Sequence, residues 1–291
     1  MIVSHRRSHS IPLEIHAWSD HPEINILVDK VWHSLGQQRQ VSLTPKGNRK
    51  GADPKRLIKV LLVHLYEAFL DNPALWTTVA RSSKGYAPTS RYNSLNISFK
   101  IVQLIDGLVE LGYLELAGES NDKTNVEGSS FTSRIRPSHI LKVGFGTCNA
   151  ELFDIHKHKS KTALILSDFD TDIEGNPLRR RGRGLRQLVE YEDTDETQRM
   201  ELMLYAYNSL LQKTYIDIAS LEKTYIDRET KMGLQRIPIN QTNKFVRRIF
   251  SRGSWTNNGW FYGGFWQQIG QNYRKDIFIN DKATIEVDYK G

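Results

Sequence analysis

Apolar and polar positions alternate without a clear period over residues 1–50, which end in the loop-type run Pro45-Lys46-Gly47-Asn48-Arg49-Lys50-Gly51. Regular patterning starts after it. Asp53 can cap a helix and Pro54 suits a first turn. Leu57, Leu61, Leu62, Leu65 and Phe69 then recur at helical spacing until Asn72-Pro73. Ala74 to Ala80 is expected as a short second helix, followed by the polar turn Arg81 to Gly85. Ile101, Leu104, Ile105, Leu108 and Leu111 form a strong amphipathic stripe that Gly112 should end. Tyr113 to Leu116 and Phe131 to Ile135 read as antiparallel strands on either side of a Gly/Ser/Asn/Asp-rich loop. Further on, Lys161 to Leu166 reads as a strand. Asp193 or Thr194 should cap a helix whose buried stripe is Met200, Leu204, Tyr207 and Leu211. The pentapeptide Lys213 to Asp217 recurs as Lys223 to Asp227, a local duplication rather than a solenoid. In the tail, Phe245 to Phe250 is a helix or strand, and Asn257-Asn258-Gly259 and Gly263-Gly264 are turns. Asp276 to Ile279 should pair with Thr284 to Val287 around Asn280-Asp281.

These elements predict an α+β chain. A polar N-terminal extension covers 1–50, a winged-helix domain 51–145, and a linker and strand region with an arginine-rich loop 146–190. A mixed α/β C-terminal region covers 191–291 and ends in a β-hairpin. Helix, short helix, longer helix, strand, loop, strand is the winged-helix order, and Leu104 to Leu114 has the form of a third helix running into a wing. In such a module the third helix enters the major groove. Arg91, Asn93, Asn96, Lys100 and Gln103 would then read bases, and Arg134 and Arg136 would hold phosphate. Asp106 and Glu110 would oppose groove entry if they faced DNA. The alternative is a winged helix that binds protein.

Charge sharpens the partner class. The chain carries a net +7 with a pI near 9.3, which favours an anionic partner, nucleic acid over an acidic membrane. No apolar run approaches the roughly 18 residues of a membrane span, and no signal peptide is expected. Cys148 is the sole cysteine. No internal disulfide and no cysteine-based metal site are therefore expected, and the chemistry suits a cytoplasmic setting. His156-Lys157-His158-Lys159 reads as a solvated loop. Asp168, Asp170 and Asp172 are exposed turn carboxylates or, alternatively, Mg²⁺ or Ca²⁺ ligands. Arg179, Arg180, Arg181 and Arg183 form a phosphate-binding loop or a basic linker. Nucleophilic hydrolase and dinucleotide-binding signatures are missing from the sequence.

Lys231 to Lys275 contains eight cations, nine aromatic residues and no Asp or Glu, so the rest of the chain is close to neutral. Cations bind phosphate without reading sequence, and flat rings stack on bases. DNA contacts are expected from Lys244, Arg247, Arg248, Arg252, Arg274, Trp255, Trp260, Tyr262 and Trp266. The alternative is an aromatic core segment with a solvated basic rim.

The tail, from Arg247-Arg248-Ile249-Phe250 through Phe261 to Gln267 and on to Glu286-Val287-Asp288-Tyr289, resembles uncharacterised replication-type proteins of bacterial mobile elements and prophages. Ile285 to Tyr289 is similar to the first catalytic strand of family A polymerase palm domains. The resemblance implies Asp288 as a ligand of catalytic Mg²⁺ and Tyr289 as a neighbour of the incoming sugar. Lys290 departs from the small residue usual there, and a second metal-binding carboxylate would have to come after Gly291. The expectation is a truncated palm without polymerase activity of its own. The alternatives are a winged-helix transcriptional or accessory regulator and a metal-dependent phosphoryl-transfer enzyme.

Overall fold

The computed structural model describes residues 10–45, 53–117, 133–169, 174, 176, 179–180, 183–184, 186–230 and 233–287. The chain is mixed α+β, with its strands in several small sheets. It divides into two compact units, Met1–Lys161 with Thr224–Pro238, and Thr162–Lys223 with Ile239–Gly291.

The first unit contains β1 (Ser10–Pro12), β2 (Ala17–Trp18), α1 (Pro22–Ser34), α2 (Gly36–Leu43), α3 (Pro54–Asp71), β3 (Trp76–Val79), α4 (Lys100–Glu110), β4 (Leu114–Leu116), β5 (Ser133–Pro137), α5 (His139–Gly146) and β6 (His156–Lys157). Helix α3 is its axis. The Asp53 carboxylate accepts the Lys55 N–H at 3.0 Å, which caps the first turn as expected. Every residue from Leu57 to Ala68 except Lys59 is buried, so α3 is enclosed on all sides. The apolar stripe of α4 packs into the same core, and Gly112 ends that helix region with φ +76°. Strands β3 and β4 both pair antiparallel with β5, and β1 joins β3 in parallel, giving the order β1-β3-β5-β4.

Three expectations change here. Ala74 to Ala80 is not a helix: Trp76 to Val79 forms β3, because the aromatic and β-branched run Trp-Thr-Thr-Val suits a pleated, half-buried surface. Residues 22–43 form α1 and α2, and Ile24, Val28, Val31, Leu35 and Leu43 join the core of α3 and α4. The run His156 to Lys159 is only in part a solvated loop, with Lys159 in an exposed turn. Its first two residues pair with β2, and Lys157 reaches Glu67 at 3.7 Å and Glu14 at 4.0 Å. Lys161 holds Glu14 at 2.6 Å. Burial works against the Glu14 charge, yet the His16 hydrogen bond and the two lysines keep its carboxyl well below the usual range.

The second unit contains β7 (Leu164–Phe169), β8 (Arg179–Arg180), β9 (Arg183–Gly184), β10 (Arg186–Leu188), α6 (Asp195–Lys213) and β11 (Ile216–Ile218). The chain then makes the hairpin of β12 (Tyr225–Thr230) and β13 (Gly233–Pro238), which belongs to the first unit. It continues with β14 (Arg247–Ser251), β15 (Ser254–Tyr262), α7 (Gln271–Arg274), β16 (Ile277–Ile279) and β17 (Lys282–Ala283). The main sheet has the order β10-β7-β14-β15, with β14 parallel to β7. A parallel pair needs a crossover, and α6 lies on that path. Its Leu204 packs on Leu164, Leu166 and Phe250. Thr194 starts α6 through a capping box with Thr197. The terminal hairpin forms around Asn280 (φ +48°) and Asp281 (φ +61°), but the two-residue loop pairs Ile279 with Lys282. Residues Thr284 to Val287 are therefore not its second strand.

His64 provides a pH test of the first core. Its Nδ1 accepts the Glu14 N–H at 3.4 Å, so Nε2 carries the proton towards Thr77 Oγ1 at 3.1 Å. Burial lowers the His64 pKa to about 4. The unfolded chain takes up this proton below pH 6.5 and the folded chain does not, so the contribution to stability is complete above 6.5 and is lost towards pH 4. The stability advantage of the wild type over His64→Gln is expected to shrink by about 3 kcal/mol between pH 7 and pH 4 in urea unfolding. A constant difference would show that the ring is not held neutral.

Candidate nucleic-acid interface

The main sheet of the second unit has two chemically different faces. Side chains of a strand alternate, and Leu164, Leu166 and Phe250 lie on the α6 side. Ile165, Ser167 and Phe169 of β7 and Arg247 and Ile249 of β14 therefore point the other way. Register extends this to the edges. Tyr262 sits opposite Arg247, Trp260 opposite Ile249, and Arg186 opposite Phe169. The face away from α6 thus carries Trp260, Tyr262 and Arg247 towards one end and Phe169 and Arg186 at the other, with Ile165 and Ser167 buried between them. Trp260 is 65% exposed and Tyr262 46% exposed. The Arg186 guanidinium lies 5.5 Å from the Phe169 ring centre. Arg247 is exposed and makes no ion pair among the described residues.

Local backbone chemistry fixes this arrangement. Arg252 (φ +58°) and Gly253 (φ +59°) form the two-residue turn between β14 and β15. The expected turn at Asn257-Asn258-Gly259 is instead an irregularity inside β15, where the register shifts beside Phe250. A Cβ on Gly259 would lie 2.8 Å from the Phe250 ring, and Arg248 Nε donates to the Gly259 carbonyl at 2.9 Å. At the far end Gly263 (φ +130°) has no room for a Cβ, because the Phe245 carbonyl is 2.3 Å away.

The other expected contacts of the tail divide. Trp255 is half-buried and packs edge-on against Phe250 at 5.1 Å and Tyr191 at 4.8 Å, so it is committed to the edge of the core rather than free as a stacking platform. Lys244 is buried and donates to the carbonyls of Thr214 at 2.6 Å and Gln212 at 3.4 Å, closing the end of α6. Burial also lowers its pKa. It is therefore not available to phosphate. Arg248 faces α6, with Nη1 at 3.4 Å from Met200 Sδ. Trp266 is half-buried against Phe265 and, with Met203, Tyr207 and Phe261, lines a cavity of about 470 Å³ on that side. Arg274 is exposed and pairs with Glu286 at 3.0 Å. Arg252 is exposed at the hairpin tip. Arg179, Arg180 and Arg183 lie on the paired strands β8 and β9, within the compact second unit rather than in a linker. Arg181 and Asp288 lie outside the described residues, as do Asp170 and Asp172.

In the first unit two of the five expected base-reading groups, Asn93 and Lys100, are held by bonds within the fold. Asn93 is buried, and its amide binds the Ile97 N–H at 2.9 Å and the carbonyls of Ile97 at 2.7 Å and Ala87 at 3.2 Å. Lys100 Nζ donates to the carbonyls of Leu43 and Thr44 at the end of α2. Gln103 is exposed, but Asp106 and Glu110 share the outer side of α4 and pair with Arg81 and Arg39. Arg91 and Asn96 are half-buried in the turn before α4, Asn96 with φ +55°. Arg136 pairs with Glu115 at 2.6 Å and stacks on Trp76 at 4.4 Å, with Arg134 at 5.9 Å from the same ring. The sequence reading expects no cysteine-based metal site, yet the neighbouring His21 and Glu23 meet Cys148 from far along the chain.

The two-faced sheet predicts opposite stability effects for two tryptophans. Trp255→Ala should cost about 3 kcal/mol in chemical unfolding because it empties a core position. Trp260→Ala should stay within about 0.5 kcal/mol. Equal losses would mean that the face assignment is wrong. No protein-family model, curated protein or solved structure matches this chain.

Proposed function

We propose that the chain is a nucleic-acid-binding protein that holds single-stranded DNA on the face of the second-unit sheet turned away from α6. The observation that carries this reading is the pair of exposed rings Trp260 and Tyr262 beside Arg247, which makes no ion pair among the described residues. Flat exposed rings on a sheet can stack on unpaired bases, and neighbouring guanidiniums can follow the phosphates. A duplex offers its bases only at groove edges, so this surface favours separated strands. A place in the replication of a mobile element, and a palm-type Mg²⁺ site at Asp288, rest on the tail resemblance alone.

A second reading is a winged-helix regulator of duplex DNA. It is favoured by the sequence of α3, β3, α4, β4 and β5 and by the pairing of β5 with both β3 and β4. Asp106 and Glu110, tied to Arg81 and Arg39 on the outer side of α4, weigh against groove insertion, which leaves Arg134 and Gln103 as its contacts.

Fluorescence anisotropy with labelled oligonucleotides separates the two. Trp260→Ala and Tyr262→Ala should each weaken single-strand binding by about 1–3 kcal/mol. Arg247→Ala should reduce the slope of log affinity against log salt by about 0.7. Arg134→Ala and Gln103→Ala should leave single-strand binding unchanged. Tight duplex binding that depends on Arg134 and Gln103, with no effect of Trp260, would favour the second reading instead.

A further inference from the structure

His21 precedes α1, Glu23 lies in its first turn, and Cys148 follows α5. Each offers one ligand atom, and the three atoms lie within 4.8 Å of one another. We infer that these three side chains form a binding site for one Zn²⁺ ion in the first unit.

The donor set carries the choice of metal. Imidazole, carboxylate and thiolate together suit zinc, whereas Mg²⁺ and Ca²⁺ take oxygen ligands. The surrounding bonds hold the donors in place before any ion arrives. Asn149 donates to both Glu23 oxygens, from its backbone N–H to Oε2 and from Nδ2 to Oε1 at 3.1 Å. The buried Tyr66 hydroxyl lies 3.1 Å from the Cys148 carbonyl and 2.6 Å from that of Ala150, which anchors the cysteine segment to α3. Such outer bonds orient metal ligands and raise affinity. His21 Nδ1 is buried with no hydrogen-bond partner among the described residues. A buried ring nitrogen without a partner is costly, and ligation to a cation would satisfy it.

One effect opposes the site: the start of α1 carries the positive end of its helix dipole. That end amounts to about half a unit charge, against the two formal negative charges of a thiolate and a carboxylate. Three protein ligands leave a fourth tetrahedral position for water or another small ligand.

The test uses the full chain after chelator treatment, dialysed against Zn²⁺ and analysed for metal, with a parallel Co²⁺ titration followed by absorption. One ion per chain is expected, with a thiolate-to-cobalt charge-transfer band in the near ultraviolet. Cys148→Ser should abolish that band. Cys148→Ser and His21→Gln should each weaken Zn²⁺ binding about 100-fold or more, and Asn149→Ala, which keeps all three donors, about 10-fold. His33→Gln, an exposed histidine on the far turn of α1, should change nothing. Circular dichroism of each variant checks that the fold is kept. No retained zinc, a cobalt spectrum without the thiolate band, or binding unaltered by Cys148→Ser would each overturn the assignment.

Discussion

Strand alternation in β14 and β15 is the constraint on which the reading of the second unit depends. Once Phe250 is committed to Leu204 of α6, Arg247 and Ile249 must face away, and antiparallel register takes Tyr262 and Trp260 with them. The register is held at both ends. Arg252 and Gly253 supply the left-handed turn at one end. At the other, Gln267 accepts the Gly263 N–H and donates to the Phe261 carbonyl, both at 2.8 Å. A slip of one residue would turn Trp260 towards α6 and Phe261 away from it. The basic, aromatic composition of the tail therefore has two uses. Some rings and cations build the core, and a smaller set remains outside.

The first unit spends its polar groups differently. Lys157, Lys161, Glu14 and Glu67 form a network behind β1 and β6. Asn93 ties the turn before α4, and Lys100 closes α2. Of these groups a local reading assigns Asn93 and Lys100 to bases and places Lys157 in a solvated loop. The partners of Lys100 and Lys157 come from distant parts of the chain, so charge and side-chain type alone could not show that these two were already occupied.

Legibility followed the range of the interaction. Helices α3 and α4, the Asp53 cap, the Gly112 stop, the strands β4 and β5 and the turn at Asn280-Asp281 all rest on neighbours a few residues apart, and the sequence displays them. The strand at Trp76 to Val79 has two apolar ends and two threonines between them, a pattern too short to separate a strand from a helical turn. Helices α1 and α2 were hidden by frequent polar residues, although Ile24, Val28, Val31 and Leu35 carry the spacing of a buried face. The separation of Trp255 from Trp260 requires knowing where β14 ends. The meeting of His21 and Glu23 with Cys148 depends on the packing of α1 and α5 around α3, which no local pattern records.

The central claim is that single-stranded DNA lies on the sheet face carrying Trp260 and Tyr262. Ultraviolet crosslinking of the full chain to a single-stranded oligonucleotide, with mass-spectrometric mapping of the adducts, tests it most directly. The account predicts adducts on Trp260 and Tyr262, and none on Trp255 or on α4. Adducts confined to α4 and β5, or spread without preference over the surface, would contradict it.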